Sequence, residues 1–150
     1  MREKLLVSAC LLGENCKYSG GNNYAPAVEA LRDRFDLVPV CPEQLGGLPT
    51  PRTPAERVGD RVLTRDGADV TAEYRLGAER TLETARALGI TKAVFQVRSP
   101  SCGGGTIYDG TFSGMLTAGK GVTAQLLEEN GVTVYESVRI DELLDAEGAV

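Results

Sequence analysis

Residues 71–97 read TAEYRLGAERTLETARALGITKAVFQV, and two periodicities meet there. Over Thr71–Leu88, the residues Tyr74, Ala78, Leu82, Ala85 and Leu88 share one face at helical spacing, which predicts an amphipathic helix. Gly89 is placed to cap it in a left-handed turn. The pattern then changes. Lys92–Val97, KAVFQV, is a short apolar run with β-branched and aromatic residues, the signature of a buried strand. A helix delivering the chain to a core strand is the return half of a strand–helix–strand crossover, so a partner strand is expected upstream.

Working outward, Lys4–Ala9, KLLVSA, reads as that first buried strand. Tyr24–Phe35 carries Val28, Leu31 and Phe35 at helical spacing, with Pro26 suited to a first turn. Asp36–Val40 is a second short strand, and Val58–Thr64 an exposed hairpin turning at Gly59–Asp60. Downstream, Gly121–Asn130 reads as a helix ended by Gly131. Val132–Tyr135 is a fourth strand and Ile140–Ala146 a short terminal helix. Alternating strands and helices predict one Rossmann-like, doubly wound α/β domain over residues 1–150. Its mainly parallel sheet should have four to five strands, with right-handed crossovers covering both faces and a small hairpin outside.

Composition narrows the chemistry. The chain has 150 residues, 42% of them hydrophobic, and a net charge of −5. That suits a domain with its own core and gives no basic footprint for a nucleic acid polymer. No apolar run reaches membrane-spanning length, and the N-terminal stretch resembles a first strand more than a signal peptide. A cytoplasmic location is expected, as a monomer or homodimer, where the four cysteines stay reduced. The chain contains no histidine. Ser-His-Asp and Cys-His catalysis are therefore excluded, as are histidine-bearing zinc sites. It also has no tryptophan and only 5% aromatic residues, which argues against a base-stacking single-strand platform.

The strand assignments give the cysteines meaning. Cys10 directly follows the first strand, Cys41 the second, and Cys102 lies just past the third. Ligands of open parallel sheets bind outside the carboxyl ends of the strands, so these three thiols should converge. Cys16 belongs to the same first loop but is expected further out. Single free cysteines often serve as small buried hydrophobes; three at three strand ends are harder to read that way. A four-cysteine zinc site is the nearer rival, although no C-x2-C pair is present. Three thiolates with one position left open suit an iron–sulfur cluster with an iron facing substrate. In QVRSPSCGGG, residues 96–105, Gly103–Gly105 would then bring backbone N–H groups close to cluster sulfides.

Two further motifs invite reading. GMLTAGKG, residues 114–121, matches the first seven positions of a phosphate-binding P-loop, but Gly121 stands where Ser or Thr must hold magnesium. A nucleoside triphosphatase is not expected. Lys120, Gly121 and Thr123, at the start of the following helix, are instead candidates for binding an anionic oxygen or phosphate of a substrate. Arg52, in the rigid loop Pro49–Pro54, is expected to contact substrate or to form an ion pair outside the site.

SACLLGENCKYSGGNN (8–23), CPEQLGGLPTPRTPAE (41–56) and RSPSCGGGTIYDGTFSG (98–114) together resemble the signature blocks of the thiouracil desulfidase family. The likeness extends over roughly residues 4–140. It implies a [4Fe-4S] enzyme that converts a thiolated uracil, as free base or nucleotide, to uracil and sulfide without net redox change. By this resemblance Cys10, Cys41 and Cys102 match the cluster ligands, and Cys16 matches a position outside that set. Glu43 matches a catalytic carboxylate and Ser99 a catalytic serine, with Ser101 competing for the latter role. An iron lacking a protein ligand is a Lewis acid for soft sulfur, and a carboxylate two residues from a ligand is suited to moving a proton. The competing class is a non-catalytic zinc or iron–sulfur module, structural or redox-sensing. Colour and thiouracil turnover discriminate the two.

Overall fold

A computed structural model describes residues 2–148. In chain order its elements are β1 (Glu3–Ser8), α1 (Pro26–Glu29), β2 (Phe35–Val40), α2 (Pro42–Leu45), β3 (Ala55–Val58), β4 (Arg61–Thr64), α3 (Thr71–Leu88), β5 (Lys92–Phe95), β6 (Thr106–Tyr108), β7 (Leu116–Ala118), α4 (Val122–Glu129), β8 (Thr133–Glu136) and α5 (Ile140–Gly148). A 4-stranded sheet runs in the order β2–β1–β5–β8, and every pairing in it is parallel. The hairpins β3–β4 and β6–β7 are antiparallel and separate from it.

Both faces of the sheet are buried, as an all-parallel sheet requires. Leu5, Val7 and Val94 point to one side, against Val28, Leu31, Ile140 and Leu143. Leu6, Ala93 and Phe95 point to the other, against Leu82, Ala85, Ala124 and Leu127. The period-two alternation along β1 and β5 thus distributes consecutive apolar residues between two layers. The doubly wound architecture matches the expectation from sequence, and α3 and the hairpin turn at Gly59 lie where periodicity puts them. Gly89 ends α3 at φ 67.

Two expectations need correction. Tyr24–Phe35 is not one helix: α1 covers four residues and a 3-10 turn follows over Ala30–Asp33. Phe35 pairs with Glu3 as the first residue of β2 and is buried there, so the helix has to end before it. Within residues 114–121, where no nucleoside triphosphatase loop is expected, Leu116–Ala118 is strand β7. Leu88, assigned to the inner face of α3, is 42% exposed at its end.

One helix contact positions the site. A Cβ on Gly77 would lie 1.9 Å from the Pro42 carbonyl oxygen, and one on Gly46 2.0 Å from that of Glu73. Helices α2 and α3 therefore touch backbone to backbone, and no methyl group fits between them. Gly77→Ala should force α2 outward and cost about 1–3 kcal/mol, the usual range for overpacking. Thermal unfolding should show a fall of several degrees in Tm; an unchanged Tm would contradict the close packing.

Candidate functional site

The register of the sheet brings the thiols together. Ser8 pairs with Val40, so the chains leaving β1 and β2 emerge side by side. Cys10 lies in a 3-10 turn, Ala9–Leu12, closed by Gly13 at φ 94. Cys41 immediately precedes Pro42, the first residue of α2. Cys102 is carried by the loop after β5. That loop is tied to β1 by Ser8, whose Oγ accepts the Gln96 N–H at 3.0 Å. All four cysteines are free and line one cavity of ≈ 510 Å³.

Cys16 is not further out, as its sequence position suggests. The first loop folds back through bonds from Asn23 N–H to the Cys10 carbonyl and from Ala25 N–H to that of Leu11, both 2.9 Å. Cys16 is thereby buried beside Cys10 and Cys41, and its carbonyl accepts from the Cys41 thiol at 3.7 Å. It keeps its proton, its pKa driven well up chiefly because that proton serves Cys10 and then Cys41. The hydrogen bond from Cys16 conversely lowers Cys10 from 9.0 to about 7, against burial, with Asn23 assisting. The same donor lowers Cys41. Cys102 is pushed up, first by burial and then by the negative charge of Glu43.

Glu43 is carried into the cavity by α2. Its Oε2 accepts a bond from Arg52 Nη2 at 2.5 Å, and both side chains are largely buried, 14% and 6% exposed. Arg52 also donates to the Cys16 carbonyl (3.0 Å), the Pro49 carbonyl (3.2 Å) and Thr50 Oγ1 (3.0 Å). The ion pair is therefore inside the site. Ser99 lines the cavity too, and its Oγ accepts the N–H groups of Ser101 (3.1 Å) and Cys102 (3.0 Å). Because both bonds are to its oxygen, its own proton remains to be donated elsewhere.

Other expected positions lie outside the cavity lining. Ser101 is fully buried, with its hydroxyl 2.8 Å from that of Thr123. Lys120 is exposed and paired with Glu128 at 2.5 Å. Gly121 packs on the cysteine loop, since a Cβ there would lie 2.4 Å from the Ser101 carbonyl. The start of α4 is occupied as well: Val122 N–H bonds the Pro100 carbonyl, and those of Thr123 and Ala124 bond the Ser101 carbonyl. Gly121 and Thr123 thus brace the Cys102 loop, Lys120 turns to Glu128, and none of the three lines the cavity. The glycines after Cys102 serve packing: Gly103 donates to the Ser99 carbonyl, and Gly104 lies against Glu136. Asp109 spends its carboxylate on Thr111.

The sequence reading missed Ser8, Asn23 and Tyr74, all of which line the cavity. Tyr74 is buried on the helix face that periodicity identified, which reads as core from sequence alone. As for what the site could hold, its donors are soft sulfurs and the chain has no imidazole. Among the described residues, no three Cys, Asp or Glu side chains converge as ligands on one ion. Thiols set around a chamber fit a multi-iron cluster, in which different thiolates serve different irons, better than a tetrahedral zinc.

A family model described as 2-thiouracil desulfurase matches residues 5–138. An uncharacterized protein of Bacillus subtilis (strain 168), YbbK, is 39% identical over 150 residues, covering 93% of this chain and 99% of its own. A solved structure described as the [4Fe-4S]-dependent thiouracil desulfidase TudS superposes with a TM-score of 0.93 at 44% identity, over 99% of this chain and 100% of that one. The chain belongs to the 2-thiouracil desulfurase family.

Proposed function

We propose that residues 1–150, as one α/β domain, form a [4Fe-4S]-dependent desulfidase that hydrolyses a thiolated uracil to uracil and sulfide. Family membership and the likeness to TudS support the class of reaction. One observation of this chain supports the assignment of residues: cysteines from three strand ends share a cavity with Glu43 and Ser99.

In this reading Cys10, Cys41 and Cys102 hold the cluster and leave one iron without a protein ligand. When bound, the cluster supplies a Lewis acid with affinity for thiocarbonyl sulfur. The chain's own residues handle water and protons. Glu43 is fixed through Oε2 by Arg52, so Oε1 takes the proton of the water that adds to the thiocarbonyl carbon. The remaining hydroxyl proton passes to the departing sulfur as the carbon–sulfur bond breaks, so the water oxygen stays as the new carbonyl, sulfur leaves as hydrosulfide, and Glu43 then gives up its proton to solvent. No electron is exchanged. The Ser99 hydroxyl, already accepting two N–H groups, donates a hydrogen bond to the substrate ring and orients it. Cys16 supports Cys10 and Cys41 as a hydrogen-bond donor.

Anaerobic reconstitution followed by a sulfide-release assay with thiouracil tests the reading directly. A coloured, loaded protein that releases no sulfide would point to the non-catalytic module. Glu43→Gln should keep the cluster absorption and lose at least about a hundredfold in turnover, the usual scale of acid–base contributions. Parent-level turnover by that variant would remove the carboxylate from the mechanism. Cys41→Ser should bind iron poorly.

The thiols supply a second check, in the cluster-free protein. Because the pKa of Cys10 is lowered from 9.0 to about 7, its thiolate forms at lower pH than an ordinary cysteine's. Alkylation by iodoacetamide, mapped by mass spectrometry, should therefore climb at Cys10 as pH rises through about 7. Cys102, shifted upward, should stay unreacted over the same interval. Cluster loading should then protect Cys10; an unchanged rate there would exclude it as a ligand.

A further inference from the structure

Part of the cavity wall comes from the two hairpins, through Glu56, Arg65, Tyr108 and Phe112. Nothing in the desulfuration chemistry described above uses them. Phe112 stands out because its φ is 56, in the left-handed region that bulky residues avoid. Glycines at 110 and 114, either side of it, adopt φ values of 94 and 80, so this turn already uses the residue type suited to such backbone. A phenyl ring at position 112 has to be held there. Glu56, itself buried, does so through one oxygen, Oε1, which accepts the N–H groups of Phe112 (3.1 Å) and Gly110 (2.9 Å). Arg65 adds a contact from β4's end, its guanidinium carbon 5.7 Å from the ring centroid.

Strained backbone that its surroundings over-determine is characteristic of ligand clamps. Here the surroundings include a buried carboxylate on the neighbouring hairpin, and what they present is a half-buried aromatic ring in the wall of the thiol cavity. We infer that Phe112 is a substrate-positioning residue: its ring, backed by Arg65, is the platform on which the substrate's pyrimidine ring stacks. The inference rests on the desulfidase reading for the identity of that ring. Stacking tolerates any flat heteroaromatic ring. It therefore accounts for how the base is held in the cavity that the thiols also line.

The test uses cluster-loaded protein and 4-thiouracil, whose near-ultraviolet absorption reports turnover when Glu43 is intact and, in a Glu43→Gln background too slow to consume it, binding in equilibrium dialysis. Phe112→Gly removes the ring and relieves the backbone, so it should keep the parent's cluster absorption and Tm. Its affinity for 4-thiouracil should fall about tenfold or more, as loss of base–aromatic stacking typically gives, with KM rising in parallel. Phe112→Leu, which keeps apolar bulk without a π face, should lose affinity likewise, and Phe112→Tyr should bind as the parent does. Parent-level affinity in the Gly or Leu variant would overturn the platform. A parent that binds 4-thiouracil yet releases no sulfide would overturn the catalytic reading and leave the platform standing. A parent that does not bind it would overturn both.

Discussion

Strand β1 pairs with β2 from Glu3↔Phe35 to Ser8↔Val40, and with β5 through Leu6↔Ala93 and Val7↔Val94. The rest of the site inherits its geometry from that double register. A slip of one residue would exchange Leu5 and Val7 with Leu6 between the two core layers. Each of these three is fully buried, and burial of such a side chain contributes about 1.5–3 kcal/mol. The hydrophobic pattern therefore fixes where β1 stops relative to its neighbours. Since Cys10 and Cys41 follow their strands almost immediately, the same pattern fixes their separation. Ser8 extends the constraint to the third loop by holding the Gln96 N–H.

Gathering thiols and a carboxylate in one cavity is electrostatically unfavourable. The charge of Glu43 raises the pKa of Cys10, Cys41 and Cys102 alike, behind larger contributions from hydrogen bonding or burial. Two features offset this. Cys16 donates toward both Cys10 and Cys41, and Arg52 lowers the pKa of Cys41 while pairing with Glu43. A buried carboxylate without such a partner would carry the full desolvation penalty.

The fold was legible because its elements announce themselves locally. Helix α3 has a face, a glycine cap and a length that sequence states outright, and β1 and β5 are apolar runs that only a covered sheet accommodates. From those strands followed the convergence of Cys10, Cys41 and Cys102. What was not legible depends on loops closing through tertiary contacts. Cys16 enters the cavity because Asn23 and Ala25 bond back to Cys10 and Leu11, and no periodicity records such bonds. Ser99 and Ser101, two positions apart in one short motif, differ completely: one lines the cavity and the other is sealed against Thr123. Residues 120–123 looked like an anion site because a helix starts there, yet the carbonyls of Pro100 and Ser101 already occupy its N–H groups.

Arg52 shows how a chain without histidine can hold a buried carboxylate in a fixed position. Here the guanidinium is shared. Its Nη2 serves the Cys16 carbonyl as well as Glu43, and its Nη1 serves Pro49 and Thr50. The planar donor fork thus ties three segments together: the first cysteine loop, the proline loop and α2. Its backbone N–H adds a bond to the Tyr18 carbonyl at 2.8 Å. Glu43 is consequently held in place by the same residue that fixes the loop bearing Cys16, and the thiols and the proposed base cannot move independently. In a site with no imidazole to adjust its protonation near neutral pH, the proposed chemistry depends on that fixed arrangement of a carboxylate, a hydroxyl and sulfur.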